Sequence, residues 1–276
     1  MRHGTGEQPH RHTGRVLAVI LVTMLLIAAV IAGIHMQRSK VGGSVAALVQ
    51  TVIGRVRDTQ TSSAMGSGTD ADQIMPQDVA DTQYPKAISA VDFNSNGVDD
   101  YTDIMLGARA DAEAEPTYDD GYYQGGYPPD DRGACTDLVW RALRNAGYDL
   151  KAMVDADIAT DPTSYAAVVS TPDPNIDFRR TGVLDVFFRK YGQNLTLDIA
   201  DHEQWQQGDI VVFRNVKHIG VISDKRDRDG VAFVLHNMNQ KHRENDYLAF
   251  ANHMEVTGHY RWDASKVPQH VLRAWQ

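Results

Sequence analysis

Cysteine is the scarcest residue in this chain of 276 residues, with Cys135 as its one member. A single thiol cannot form an intrachain disulfide, so the core and the hydrogen bonds must hold the fold. Zinc hydrolases usually need several cysteines or an HExxH helix, and neither is present. Four histidines show no metal-ligand spacing: His202, His242, His253 and His259. A zinc hydrolase is therefore set aside.

Negative charge outweighs positive charge beyond the first 57 residues. Residues 1–57 hold seven Lys or Arg and one Glu, net +6, which leaves −15 for the remainder of a chain whose total is −9. An acidic body repels a phosphate backbone, so we expect no nucleic-acid partner.

Long apolar runs are limited to residues 16–34, which contain 19 residues without a charge. That length spans a bilayer and exceeds a typical signal-peptide core, so we expect a transmembrane signal anchor. Residues 35–81 are expected to form a short juxtamembrane helix and then a flexible tether rich in Ser, Thr, Gly and Asp. Residues 82–276 are expected to fold as one domain.

The single cysteine is predicted to open a helix. Apolar residues recur at helical spacing after it, and Gly147 supplies a stop. These apolar positions are Leu138, Val139, Ala142, Leu143 and Ala146. Backbone N–H groups and the macrodipole at a helix start favour a thiolate, so we expect a lowered pKa for Cys135 and a nucleophilic role. The alternative is a buried cysteine that only packs.

Three short apolar runs separated by turn residues predict antiparallel strands at 209–213, 218–223 and 231–235. His218 begins the second run and His236 ends the third. Antiparallel pairing makes those two ends neighbours, so His236 is expected to orient the ring of His218. Asn237 and Asn239 are the rival orienting residues.

These motifs together resemble a bacterial family, the domain of unknown function 1287, over about residues 83–265. The motifs are GACTDLVWRALRNAGYDL, DPNIDFRR, GDIVVF, HIGVISDKR, LHNMNQ and GHYRW. Their order also resembles the papain-like cell-wall peptidases of the NlpC type, although Thr136 and Asp137 follow the cysteine where those enzymes usually have Ser-Gly. The resemblance implies an α+β, papain-like fold in which a helix carrying the cysteine packs on a small antiparallel sheet carrying the histidine.

By the same resemblance, Cys135 is the nucleophile, His218 the general base and His236 the third residue of a cysteine amidase or endopeptidase acting on cell-wall peptides. The reaction passes through a thioester and needs no cofactor. The backbone N–H of Cys135 is the expected oxyanion donor, with the GGYPP segment as a second. A noncatalytic wall-binding or scaffold module and an acyltransferase using the same residues are the alternatives.

Four residues are the candidates for contact with the substrate: Tyr123, Tyr127, Asp137 and Arg180. Arg180 could clamp a substrate carboxylate, while internal pairing of the nearby Asp and Arg residues is the alternative. For the tyrosines, the alternative is packing in a Gly-rich loop.

The cell-wall resemblance also favours residues 1–15 in the cytoplasm and the catalytic domain outside the cell, attached by the single span at 16–34. Secretion after signal cleavage is the alternative. The expected partners are thus a cell-wall peptide and the membrane, and the sequence does not indicate an oligomeric state.

The segment DFNSNGVDDYTD, residues 92–103, has the spacing of a calcium-binding loop. The predicted ligands are Asp92, Asn94, Asn96, the carbonyl of Val98, Asp100 and Asp103. The fit is incomplete because Asp99 stands where an aliphatic residue is usual, and Asp103 replaces the final Glu. A structural calcium ion is expected, with a plain acidic turn as the alternative.

Overall fold

The apolar spacing after Cys135 produces a helix with a buried inner face in the computed structural model, which describes residues 74–276. The helices of this part of the chain are α1 (Gln77–Gln83), α2 (Asp100–Ala114), α3 (Cys135–Asn145), α4 (Leu150–Thr160), α5 (Pro162–Tyr165) and α6 (Thr181–Tyr191). The strands are β1 (Thr117–Tyr118), β2 (Arg132–Gly133), β3 (Gly192–Asn194), β4 (Ile210–Phe213), β5 (His218–Arg226), β6 (Ala232–Leu235), β7 (Glu244–Asn245) and β8 (Val256–Trp262).

Six of the strands form one sheet in the order β3-β8-β4-β5-β6-β7, and each neighbouring pair is antiparallel. The short strands β1 and β2 pair in parallel and form a separate ribbon. The expected mixed α+β architecture with an antiparallel sheet is therefore confirmed.

The central strands divide their side chains between two hydrophobic cores, as period-2 alternation requires. Val212 and Ile219 pack with α3 in the larger core. Phe213 and Ile222 pack around Trp205 in the smaller one. Both faces of the sheet are thus covered, and α3 is held against β5, the strand that His218 opens.

Gly147 ends α3 as the sequence predicts, with a positive φ of 89° that favours glycine. Its N–H donates to the carbonyl of Arg144, and the next N–H, of Tyr148, reaches back to Leu143. A Cβ atom at Gly147 would lie 2.7 Å from the Cβ of Asn94. The end of α3 is therefore fixed against the acidic loop at 92–103.

Ordered structure already covers the last residues of the predicted tether, before the predicted start of the folded domain at residue 82. Ile74 bridges to Asp227, Met75 donates its N–H to the carbonyl of Arg226, and Ala80 of α1 is buried. Sparse apolar residues therefore suffice to dock this segment. Within residues 74–276 no helix is long and apolar enough to cross a bilayer. The predicted span at 16–34 lies outside the described residues.

Candidate active site

Cys135 is the first residue of α3 and is 8% exposed. The preceding N–H, of Ala134, donates to Asp137 Oδ2 at 2.7 Å and closes the first turn. Asp137 also accepts from Trp140 Nε1 at 2.8 Å and pairs with Arg179 Nε at 2.7 Å. A fully buried carboxylate thus fixes the turn that carries the thiol.

Burial raises the pKa of the Cys135 thiol above its ordinary value. Hydrogen bonding by the backbone of Ile219 and Thr136 and by the side chain of Thr181 acts in the opposite direction but is outweighed. The predicted lowering of this pKa by the helix start is therefore wrong, because a thiolate would lose too much hydration here. The resting group is a neutral thiol.

The rings of His218 and His236 are brought together as part of a buried hydrogen-bonded chain. His218 Nε2 lies 2.9 Å from His236 Nδ1, and His236 Nε2 lies 3.2 Å from Asn245 Oδ1. The amide of Asn245 is oriented by its Nδ2, which donates to the carbonyl of His242 at 2.7 Å. Its Oδ1 is therefore the acceptor for His236.

The hydrogen bonds from His218 through His236 to Asn245 determine the tautomers of both neutral rings. His236 must carry its proton on Nε2 to donate to Asn245, which makes its Nδ1 an acceptor. His218 must then donate from Nε2, and its Nδ1 keeps a lone pair. A general base needs a nitrogen in that state.

Burial also keeps both rings neutral. It lowers the pKa of His218 well below its usual value, and the neighbouring His236 adds to the effect. It lowers the pKa of His236 to about 4, against the hydrogen bond to Asn245, which raises it. With such a low pKa, His218 is a weak base and does not take the thiol proton at rest.

Gly220 provides the space in which the two rings meet. Val221 pairs with Leu235, which places Gly220 opposite His236 on neighbouring strands. A Cβ atom at Gly220 would lie 2.9 Å from the carbonyl oxygen of Leu235 and 3.1 Å from the Cβ of His236. The absent side chain therefore lets β5 and β6 bring His218 and His236 into contact.

Cys135, on α3, and His218, the first residue of β5, lie on opposite faces of the start of this strand. The thiol is close to the backbone of Ile219, whose side chain packs towards α3. The ring of His218 stacks on Phe213, with centroids 5.7 Å apart. Within residues 74–276 no hydrogen bond joins the thiol to His218. In the resting state the two groups are thus neutral and separated by the end of the strand, and they do not form a thiolate–imidazolium pair.

The two tyrosines predicted to contact substrate have different positions. Tyr123 is half-buried, and its hydroxyl donates to Asp119 Oδ2 at 2.8 Å. Tyr127 packs in an aromatic cluster, with its ring centre 4.9 Å from that of Trp140 and 5.3 Å from that of Phe178. The ring of Tyr127 is thus used in packing although the residue is only half-buried, and substrate contact by either tyrosine stays a prediction.

The two charged candidates are engaged in ion pairs within the fold. Asp137 is fully buried and paired with Arg179 in the resting fold, so the alternative of internal pairing describes it, and its contact with substrate stays a prediction. Arg180 is 44% exposed at its side chain and pairs with Asp177 at 2.9 Å. Internal pairing, the alternative to a carboxylate clamp, thus describes the resting state of Arg180.

The GGYPP segment, the predicted second oxyanion donor, makes contacts with other parts of the fold, and its oxyanion role stays a prediction. A Cβ atom at Gly126 would lie 2.8 Å from the ring of Phe178, and the carbonyl of Pro129 accepts from Arg141 at 3.2 Å.

The loop at 92–103 is closed on itself by hydrogen bonds. Asn94 and Asn96 both donate from Nδ2 to Asp103 Oδ2, at 3.0 and 2.9 Å. Asp92 accepts from the N–H of Asn96 and of Gly97. Nitrogen, not oxygen, therefore faces Asp103, and this arrangement does not present a calcium ligand set. Among the described residues no group of three or more His, Cys, Asp or Glu side chains is arranged to hold a metal. Calcium binding stays a prediction.

Residues 105–262 match the family described as a domain of unknown function, DUF1287. The chain belongs to this family. YijF, an uncharacterized protein of Escherichia coli (strain K12), is 36% identical over 168 residues, which is 58% of this chain and 80% of that protein. No solved structure matches. The DUF1287 resemblance is thus confirmed, while the likeness to NlpC-type enzymes stays a prediction.

The DUF1287 region also holds site residues that the sequence patterns do not single out. Asn245 lies in a two-residue strand within a charged stretch, which gives no periodic signal. Asn237, the rival orienting residue, donates instead to the carbonyl of Gly133 at 2.9 Å. It ties the end of β6 to the loop before Cys135. Thr181 reaches the thiol from the start of α6, about 45 residues away in sequence.

Proposed function

We propose that this DUF1287 protein is a cysteine hydrolase, an amidase or endopeptidase that acts on cell-wall peptides. The carrying observation is the buried chain from His218 through His236 to Asn245. It leaves His218 Nδ1 as a lone-pair acceptor at the start of the strand whose backbone touches Cys135. A cysteine with only a packing role does not require an oriented pair of buried histidines nearby.

In the proposed reaction, His218 Nδ1 takes the thiol proton while Cys135 Sγ attacks the amide carbonyl carbon. The carbon–nitrogen bond then breaks, the amine leaves with that proton, and water hydrolyses the thioester. Because both groups are neutral at rest, proton transfer accompanies the attack. In the resting state the ring of His218 lies on the Phe213 face of β5 and the thiol on the α3 face. The proposal therefore includes a movement of the ring around the strand end that brings Nδ1 to Sγ when substrate binds. The backbone N–H of Cys135 is the proposed oxyanion donor.

The proposal extends to the fold family and the location. A helix that opens with cysteine and packs on an antiparallel sheet with histidine at a strand start supports a papain-like, NlpC-type fold. We propose that residues 16–34 anchor the chain in the cell membrane with the catalytic domain outside, secretion after cleavage being the alternative. The proposed reaction uses no cofactor.

The test is a search for new amino groups, by mass spectrometry, after incubation of the full chain with purified peptidoglycan and synthetic stem peptides. Cys135→Ala and His218→Gln are expected to abolish the products, and His270→Gln, a change at an exposed histidine, is the matched control. Products that persist with Cys135→Ala would overturn the proposal. Products formed only when an added amine is present would assign an acyltransferase.

A second candidate is a noncatalytic wall-binding module. It is favoured by the burial of Cys135 in the larger core and by its raised pKa. It predicts that the chain sediments with peptidoglycan and that Cys135→Ala binds equally well. It also predicts that neither the unmodified chain nor the variant forms products. The hydrolase predicts loss of products with that variant, so one preparation decides between the two.

A further inference from the structure

The short strand β7, which carries Asn245, presents different side chains to the two faces of the sheet. Its two residues lie at the sheet edge next to β6, where Glu244 pairs with Leu235 and Asn245 with Val234. Leu235 belongs to the larger core and Val234 to the smaller one, because neighbouring side chains of a strand point to opposite faces. Asn245 therefore shares the face of His236, while Glu244 lies on the face that α2 and α3 cover.

Glu244 is held on that face by donors from two other elements. Its carboxylate accepts from Arg109 Nε of α2 at 3.1 and 3.3 Å, and Arg109 Nη2 donates to it as well. From β5, Lys225 Nζ donates at 2.7 Å and the hydroxyl of Ser223 adds a further hydrogen bond. Arg109 also pairs with Asp224 of β5. These side chains thus tie β7 to α2 and, across β6, to β5.

The contacts of Glu244 keep its carboxyl group ionised. Burial acts to raise the pKa of Glu244, but hydrogen bonds from Arg109, Lys225 and Ser223 hold it below its ordinary value. The side chain is 13% exposed, so water screens these bonds little, and charge-assisted hydrogen bonds are roughly twice as strong as neutral ones. A strand of two residues makes few backbone bonds to its neighbour. The side-chain anchor at Glu244 therefore determines where β7 lies.

We propose that Glu244 is a positioning residue, whose ion pair with Arg109 places Asn245 so that His236 carries its proton on Nε2. Without this anchor, β7 moves away and Asn245 Oδ1 no longer accepts from His236. A proton on His236 Nδ1 would then be donated to His218 Nε2, and His218 would hold its own proton on Nδ1. The lone pair of the proposed base would be lost. This consequence for catalysis rests on the proposed hydrolase, whereas the effect on the tautomer does not.

The test is nitrogen-15 NMR of the full chain with labelled histidine at pH 7.5. Protonated and unprotonated nitrogens of a neutral imidazole have well-separated shifts, and the signals that His236→Gln removes identify this ring. In the unmodified chain we expect the proton of His236 on Nε2. Glu244→Gln and Arg109→Gln are each expected to lower the population ratio of the Nε2–H to the Nδ1–H form at least about tenfold, because a buried hydrogen bond is lost.

Two control variants separate positioning from a general loss of stability. Glu203→Gln changes an exposed carboxylate, and Lys190→Gln breaks an ion pair with Asp157 that joins α6 to α4. Neither is expected to change the tautomer ratio of His236. Lys225→Gln removes one donor to Glu244 from a side chain that is 39% exposed, and we expect a change of about twofold. This mild variant decides the question if the stronger ones do not fold.

An unchanged tautomer ratio in folded Glu244→Gln, or in Lys225→Gln when the former does not fold, would overturn the proposal. An equal change in Lys190→Gln would overturn it as well, since the tautomer would then respond to any loss of stability. If the unmodified chain releases no products from peptidoglycan, the hydrolase fails by itself. The tautomer ratio still decides whether Glu244 positions Asn245.

Discussion

Acid is expected to destabilise the fold through His236. In the folded protein its pKa lies at about 4, whereas the unfolded chain has the ordinary value of 6.5. Between those values the unfolded chain binds a proton that folded His236 does not. Stability is therefore lost as the pH falls from about 7 to 4, with the full contribution present above the unfolded pKa.

The size of the effect follows from the difference between these two values. At about 1.4 kcal/mol per pKa unit, it contributes about 3 kcal/mol to the pH dependence of the free energy of unfolding. That is a large share of the roughly 5–15 kcal/mol that stabilises an ordinary domain. The lowered pKa of His218 acts with the same sign.

The measurement is urea unfolding of the full chain, followed by tryptophan fluorescence at several pH values from 7.5 to 4. His236→Gln removes the titrating ring, and His270→Gln, at an exposed position, is the matched control. We expect the unmodified chain and the control to lose about 3 kcal/mol more than His236→Gln over this range. The comparison cancels the contribution of buried carboxyl groups, whose raised pKa values act with the opposite sign. A difference between chain and variant that stays constant with pH would refute the reasoning.

Three further outcomes are expected. Asp137→Asn leaves the buried charge of Arg179 without its partner and should lower the free energy of unfolding by about 3–5 kcal/mol, measured in urea. Gly220→Ala places a methyl group 2.9 Å from the carbonyl oxygen of Leu235 and should cost about 1–3 kcal/mol, and an unchanged urea midpoint would contradict this. Iodoacetamide should label Cys135 at pH 7.5 at least roughly tenfold more slowly in the folded chain than in urea, and equal rates would show that the thiol is not protected.

Local patterns in the sequence predict much of the fold. The apolar spacing after Cys135 predicts α3, and Gly147 predicts its end, because both signals act within a few turns of one helix. The meeting of His218 and His236 also follows from local pairing, since one hairpin joins their strands. These elements depend on neighbours in sequence.

What the sequence does not predict depends on packing between distant segments. Asp137 precedes its partner Arg179 by 42 residues, and the ion pair exists only because α3 meets the start of α6. The pKa of Cys135 likewise depends on how deeply β5 and α6 cover the thiol. Tyr127 lies in a Gly-rich loop and packs against the edge of the core through its contact with Trp140 of α3. Burial that depends on distant segments cannot be predicted from a few neighbouring residues in the sequence.

The covered, neutral thiol has a consequence for the survival of the protein. Peroxides and disulfides react with exposed thiolates, and an oxidised sulfur beyond the sulfenic acid stage is rarely restored. Cys135 is 8% exposed, and burial raises its pKa, so an oxidant meets neither a charged nor an accessible sulfur. With no second cysteine in the chain to resolve a sulfenic acid, this shielding is what keeps the single sulfur in its reduced form.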